Sequence, residues 1–167
     1  MNRRQFLRIT SAGTAVLGAS ALLARGGTGS ANERLSIGVI GAGGRGSDLM
    51  SQISAVADKQ NVRLAALCDV WQKNLKAAAA RVKERFGAEP RQCARFGELL
   101  ALKEIDAVVI ATPDFAHAPI LVAALKAGKD VYIEKPMSID LALANQAFDL
   151  ARRGERVVQV GTQYRFR

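Results

Sequence analysis

The feature that most constrains this chain is a glycine turn set between two regular elements. Leu35-Ser36-Ile37-Gly38-Val39-Ile40 is a short apolar run that reads as a buried strand. It leads directly into Gly41-Ala42-Gly43-Gly44-Arg45-Gly46, after which Leu49, Ile53 and Val56 fall on one helical face. Gly41, Gly43 and Gly46 fit the spacing G-x-G-x-x-G, in which one glycine permits a tight turn, one lets backbone approach a diphosphate and one allows close helix–strand packing. Glycine-rich turns are common, and it is the strand before and the helix after that give this one its meaning. Gly44 adds a further bare position, while Arg45 either adds charge toward phosphate or stands solvated. The amides opening the helix then face the ligand's negative charge, and the ligand implied is a dinucleotide.

The rest of the chain repeats the strand–helix alternation. Arg63 to Cys68 reads as a second strand, and Leu75, Ala79, Val82 and Phe86 as the face of a helix that Gly87 stops. Cys93 to Phe96 is a short third strand, with a brief helix at Glu98 to Leu102. Asp106 to Ala111 is the fourth strand, followed by a helix lined by Ile120, Ala123, Ala124 and Ala127 and ended by Gly128. Asp130 to Glu134 is the fifth. Ser138 can cap a helix burying Leu141, Ala144, Phe148 and Ala151, and Arg156 to Val160 closes as the sixth strand. Alternation of this kind implies parallel strands with right-handed crossovers. The expected fold class is α/β, a doubly wound parallel sheet over residues 34–167, a Rossmann domain; its order 3-2-1-4-5-6 is taken from the fold.

Ligands of such sheets bind outside the carboxyl ends of the strands, so the residues there are the candidates. Asp69 ends the second strand at the distance from Gly46 where an acid accepts hydrogen bonds from ribose hydroxyls and repels a 2′-phosphate. That favours NAD and leaves NADP open; the plain alternative is a strand-end aspartate in a turn. After the fourth strand come Thr112-Pro113-Asp114 and His117, and after the fifth Glu134-Lys135-Pro136. His117 is the only histidine, and it lies in a loop region where functional residues concentrate. Lys135 is the best catalytic candidate. Beside an oxidised nicotinamide, like charge and burial would both disfavour its ammonium form, so it could take a proton from a substrate hydroxyl. Pro136 fixes the turn and Glu134 could orient the lysine; the plain alternative is a surface Glu–Lys pair opening a helix. Cys68 and Cys93 read as buried thiols, and no metal ligand set is assigned.

The N-terminus has a different character. Arg3, Arg4 and Arg8 precede an uncharged apolar run from Ile9 to Ala24, which is short for a membrane span and diluted by Gly13 and Gly18. The adjacent arginines followed by Phe6-Leu7 resemble a twin-arginine export motif. Residues 1–31 are therefore expected to be a leader read by the twin-arginine machinery, with cleavage after Ala31 or after Ala21, or an uncleaved anchor. The expected location is the periplasm or outside the cell, reached in folded form with cofactor held tightly. The net charge of +9 draws on this segment: of 24 basic residues, Arg3, Arg4, Arg8 and Arg25 precede residue 32, which leaves 20 against 15 acidic, a net of +5. What remains is scattered along helices, without interleaved aromatics to stack bases, so no nucleic-acid partner is expected.

Taken together the chain resembles the N-terminal half of the glucose–fructose oxidoreductase/inositol dehydrogenase (Gfo/Idh/MocA) family. The residues that carry the resemblance are Ile37 to Gly46, then Ala111-Thr112-Pro113-Asp114 with His117, then Ala127-Gly128-Lys129-Asp130-Val131-Tyr132-Ile133-Glu134-Lys135-Pro136, and Val160-Gly161-Thr162-Gln163-Tyr164-Arg165. The resemblance implies that the glycine turn binds NAD(P) and that Lys135 is the catalytic-site lysine, with Pro136 often in a cis peptide. Thr112, Pro113 and His117 would lie near the nicotinamide side, and Asp114 stands where many relatives carry asparagine. Sugars or cyclic polyols are the implied substrates. The family's second domain, a largely β substrate-binding half that supplies an aspartate and a histidine, has no counterpart before Arg167. The reading is thus the cofactor half of a secreted oxidoreductase, a fragment whose uncovered apolar face invites self-association. Two alternatives stand beside it: a glycosidase of the same family using bound NAD, and a non-catalytic NAD-binding remnant.

Overall fold

The computed structural model describes residues 34–162; the expected leader and Gln163-Tyr164-Arg165 lie outside them. Strand β1 (Leu35–Ile40) is buried along all but its first residue, as its apolar run requires. It pairs in parallel with β2 (Val62–Cys68) on one side and β4 (Ala107–Ile110) on the other. Strands β3 (Arg91–Cys93), β5 (Asp130–Glu134) and β6 (Val158–Gly161) complete a six-stranded parallel sheet in the order β3-β2-β1-β4-β5-β6. This is the doubly wound fold expected from the alternation, with β1 and β4 side by side at the point where the strand order reverses.

Successive side chains on a strand face opposite ways, and the two cores follow that rule. Ile37 and Val39 point to the face covered by α1 (Gly44–Gln60) and α2 (Gln72–Phe86), where Leu49, Met50, Leu75 and Val82 meet them. Ile40 points to the other face, under α3 (Phe96–Leu100), α4 (Asp114–Lys126) and α5 (Leu141–Gly154). Helix α4 is buried nearly all round, because it lies between the sheet and α5; Leu121 is 1% exposed. Burying one such leucine stabilises the fold by about 1.5–3 kcal/mol.

Several local expectations are corrected. Leu141 and Phe148 are 77% and 60% exposed, and α5 turns Leu143, Ala147 and Leu150 inward instead. Both sets have helical spacing, and it is the Leu143, Ala147 and Leu150 stripe that packs on the core. The cap of α5 is Asp140, whose side chain accepts from Leu143 N at 2.9 Å. Ser138 instead bonds Asp140 N within the preceding turn. Val56 is exposed, since α1 presents Leu49, Met50 and Ala57. Ala127 is exposed beyond the last turn of α4. Strand β3 starts two residues earlier than Cys93 because an edge strand needs only pairing with Ala66–Cys68, not burial. Phe96 opens α3 rather than ending the strand.

Candidate functional site

The glycine turn is built on two positions where no other residue fits. Gly41 has φ +93, and a Cβ there would come within 2.6 Å of Ala111 O on the neighbouring strand's end. At Gly46 a Cβ would lie 1.8 Å from Gly41 O, so the first turn of α1 packs directly on the turn that precedes it. Gly43 is the N-cap of α1, Gly44 is exposed with open space around it, and no side chain caps the helix. With no acid in its first turn either, α1 presents free amides and the positive end of its dipole at the carboxyl edge of the sheet.

Asp69 closes over this turn. One carboxylate oxygen accepts from Ala42 N and the other from Trp71 N, both at 2.8 Å. Each oxygen keeps a lone pair for a further donor, as two ribose hydroxyls would supply.

Arg45 is not simply solvated, because its side chain pairs within the site. Its Nε lies 2.7 Å from Glu134 Oε1, and the Glu134 side chain is 6% exposed. The hydrogen bond that Arg45 donates to Glu134 holds the guanidinium above its ordinary value, against the opposing effect of burial. Tyr132, two residues before Glu134 and so on the same side of β5, donates to the same oxygen at 3.3 Å. Burial first, and the Glu134 charge second, push the Tyr132 phenol up. Tyr132 escaped the sequence reading, although its alternation with Glu134 was a usable signal.

Glu134 meets Lys135 through the main chain, where Oε2 accepts from Lys135 N at 3.3 Å. The Lys135 side chain is exposed, and its ammonium makes no hydrogen bond among the described residues. The Lys135–Pro136 peptide is cis, as the resemblance implied.

His117 sits beneath the site. It is 1% exposed, with Nδ1 2.6 Å from Pro136 O and Nε2 2.8 Å from Thr112 O. It lies within α4 and not in the loop expected for it, and both of its nitrogens are engaged by backbone. Thr112 Oγ1 is buried without a hydrogen-bond partner, and Pro113 is the exposed N-cap of α4. A groove along α5 is lined by Leu143, Gln146 and Arg153 among others, and includes none of the site residues above.

The glycine cradle, the uncapped helix, Asp69 closing over the turn and the orphaned Thr112 hydroxyl suit a dinucleotide. The family model described as "Oxidoreductase family, NAD-binding Rossmann fold" (Gfo/Idh/MocA) matches residues 35–162. The chain belongs to this family. An inositol 2-dehydrogenase from Salmonella typhimurium is 29% identical over 133 residues, covering 79% of this chain and 38% of the relative. A glycosyl hydrolase family 109 protein from Solibacter usitatus is 39% identical over 111 residues, 63% of this chain and 25% of that one. Among solved structures, scyllo-inositol dehydrogenase from Lactobacillus casei with NAD(H) and scyllo-inositol matches with a TM-score of 0.69 at 27% identity, over 81% of this chain and 38% of that one. This member of the Gfo/Idh/MocA family therefore spans under two-fifths of the length of those relatives, and the part it spans is the NAD-binding Rossmann domain.

Proposed function

We propose that this domain is the cofactor half of an NAD-dependent oxidoreductase acting on a sugar or polyol, with Lys135 moving the proton of the reacting hydroxyl. The observation that carries the reading is the Arg45–Glu134 ion pair at 2.7 Å. It ties the helix that opens on the diphosphate site to the strand that ends in Lys135, so cofactor and lysine share one rigid edge. When bound, NAD supplies the hydride-transfer chemistry. Gly41, Gly43, Gly44 and Gly46 leave the backbone bare for the diphosphate, Asp69 receives the ribose, and Thr112 and Pro113 border the nicotinamide side. Lys135, exposed here, accepts the proton of a substrate hydroxyl within hydrogen-bond reach. Asp69 favours NAD over NADP through charge repulsion with a 2′-phosphate.

The test is turnover by the protein joined to its substrate-binding half, read by nicotinamide absorbance with inositols and sugars. Lys135→Ala should lower kcat by about 10²–10⁴-fold, the range for losing a general acid–base. Unchanged turnover would end the assignment. A second reading is favoured by the family 109 relative: glycosidic cleavage using bound NAD, which releases sugar from an aryl glycoside without added cofactor. Cofactor binding with no turnover on either substrate type would identify a non-catalytic module. We also propose that residues 1–31 direct twin-arginine export to the periplasm or beyond. Replacing Arg3 and Arg4 by lysine should then retain the protein in the cytoplasm on cell fractionation.

A further inference from the structure

His117 is the chain's one histidine, and both of its ring nitrogens face main-chain carbonyl oxygens, Pro136 O at 2.6 Å and Thr112 O at 2.8 Å. The ring is 1% exposed, so it bridges the segment after β4 and the segment after β5 inside the protein. Turning the ring over exchanges nitrogens for carbons and gives up both contacts.

We propose that His117 is a positioning residue tying the turn after β4 to the turn that carries Lys135. The proposal rests on the reading of Lys135 as the proton carrier. Lys135 is held from two sides: Glu134 Oε2 takes its amide N–H at 3.3 Å, and His117 fixes the carbonyl of the next residue, Pro136. The lysine's main chain is thereby fixed while its side chain stays open to a ligand. On the other side, the same ring holds the carbonyl of Thr112, whose buried hydroxyl has no partner. The charged groups on the surrounding segments are Asp114, three residues back on α4, Glu134 and Lys135 at the end of β5, and Asp140 at the start of α5; β4 itself has none. Glu134 is already engaged by Arg45, Tyr132 and the Lys135 amide.

His117→Gln, which can keep only one of the two contacts, should speed amide exchange at Lys135 and Met137 by roughly tenfold, the order expected for losing one hydrogen bond. Amides of β1 and β2 should keep their rates. Uniform acceleration through the sheet, or none at Lys135 and Met137, would overturn the positioning role. Amide exchange needs no turnover, so full activity in Lys135→Ala would sink the lysine's role while leaving this result to stand or fall separately.

Discussion

Gly44 and Gly46 stand two positions apart in one turn, yet an added methyl group meets different surroundings at each. At Gly46 it would lie 1.8 Å from a backbone oxygen, while at Gly44 nothing lies within 4 Å. Gly46→Ala should cost about 1–3 kcal/mol, the range for forced overpacking, and weaken NAD binding on calorimetric titration. Gly44→Ala should leave thermal stability equal or up to about 1 kcal/mol higher, since alanine is the better helix former. Cys68 carries a second prediction. Burial, aided by Cys93 directly across on β3, pushes its thiol from 9.0 up to about 12. Between those values the unfolded chain has released this proton and the folded chain has not, so stability falls as pH rises from about 9 to about 12. In Cys68→Ala, chemical denaturation across that window should show a shallower fall. The glycine roles were legible because they depend on residue type and spacing alone. The partner of Arg45 was not, because Glu134 lies 89 positions away and no local pattern records which loops will meet.

Among the elements, strands β1, β2, β4 and β5 were readable because burial on both faces demands continuous apolar runs. Edge strand β3 was misplaced by two residues for the complementary reason: Arg91 and Gln92 are exposed and contribute pairing, which composition does not show. Helix α5 misled because two stripes have helical spacing, and only the packing against α4 decides between them. Its cap gives a direct comparison. Asp140→Ala removes the acceptor for Leu143 N and should cost about 0.5–2 kcal/mol. Phe148→Ala, at a position 60% exposed, should change stability by no more than about 0.5 kcal/mol. Urea titrations of the two variants would separate the roles, and a large loss in Phe148→Ala would mean that its ring is covered.

For the whole molecule, the family and the cofactor class were legible because the glycine turn, Asp69 and Glu134-Lys135-Pro136 all fall at strand ends of a sheet whose order follows from the alternation. A ligand that binds only the folded form adds stability by mass action. NAD at about 100 times its dissociation constant should add about 2.7 kcal/mol, seen as a higher melting temperature. NADP at equal concentration should give a smaller rise, and an equal rise would remove the discriminating role of Asp69. The position of β1 has a consequence for how the chain reaches this state. It is the first strand in sequence and a central one in space, and Ile37 pairs with Ala107, 70 positions on. During synthesis, β1 therefore waits with an open edge until β4 has been made, and an unpaired apolar edge is a template for association with other chains. Refolding yield should accordingly fall as protein concentration rises, with nascent chains ending before residue 107 the most prone to aggregate.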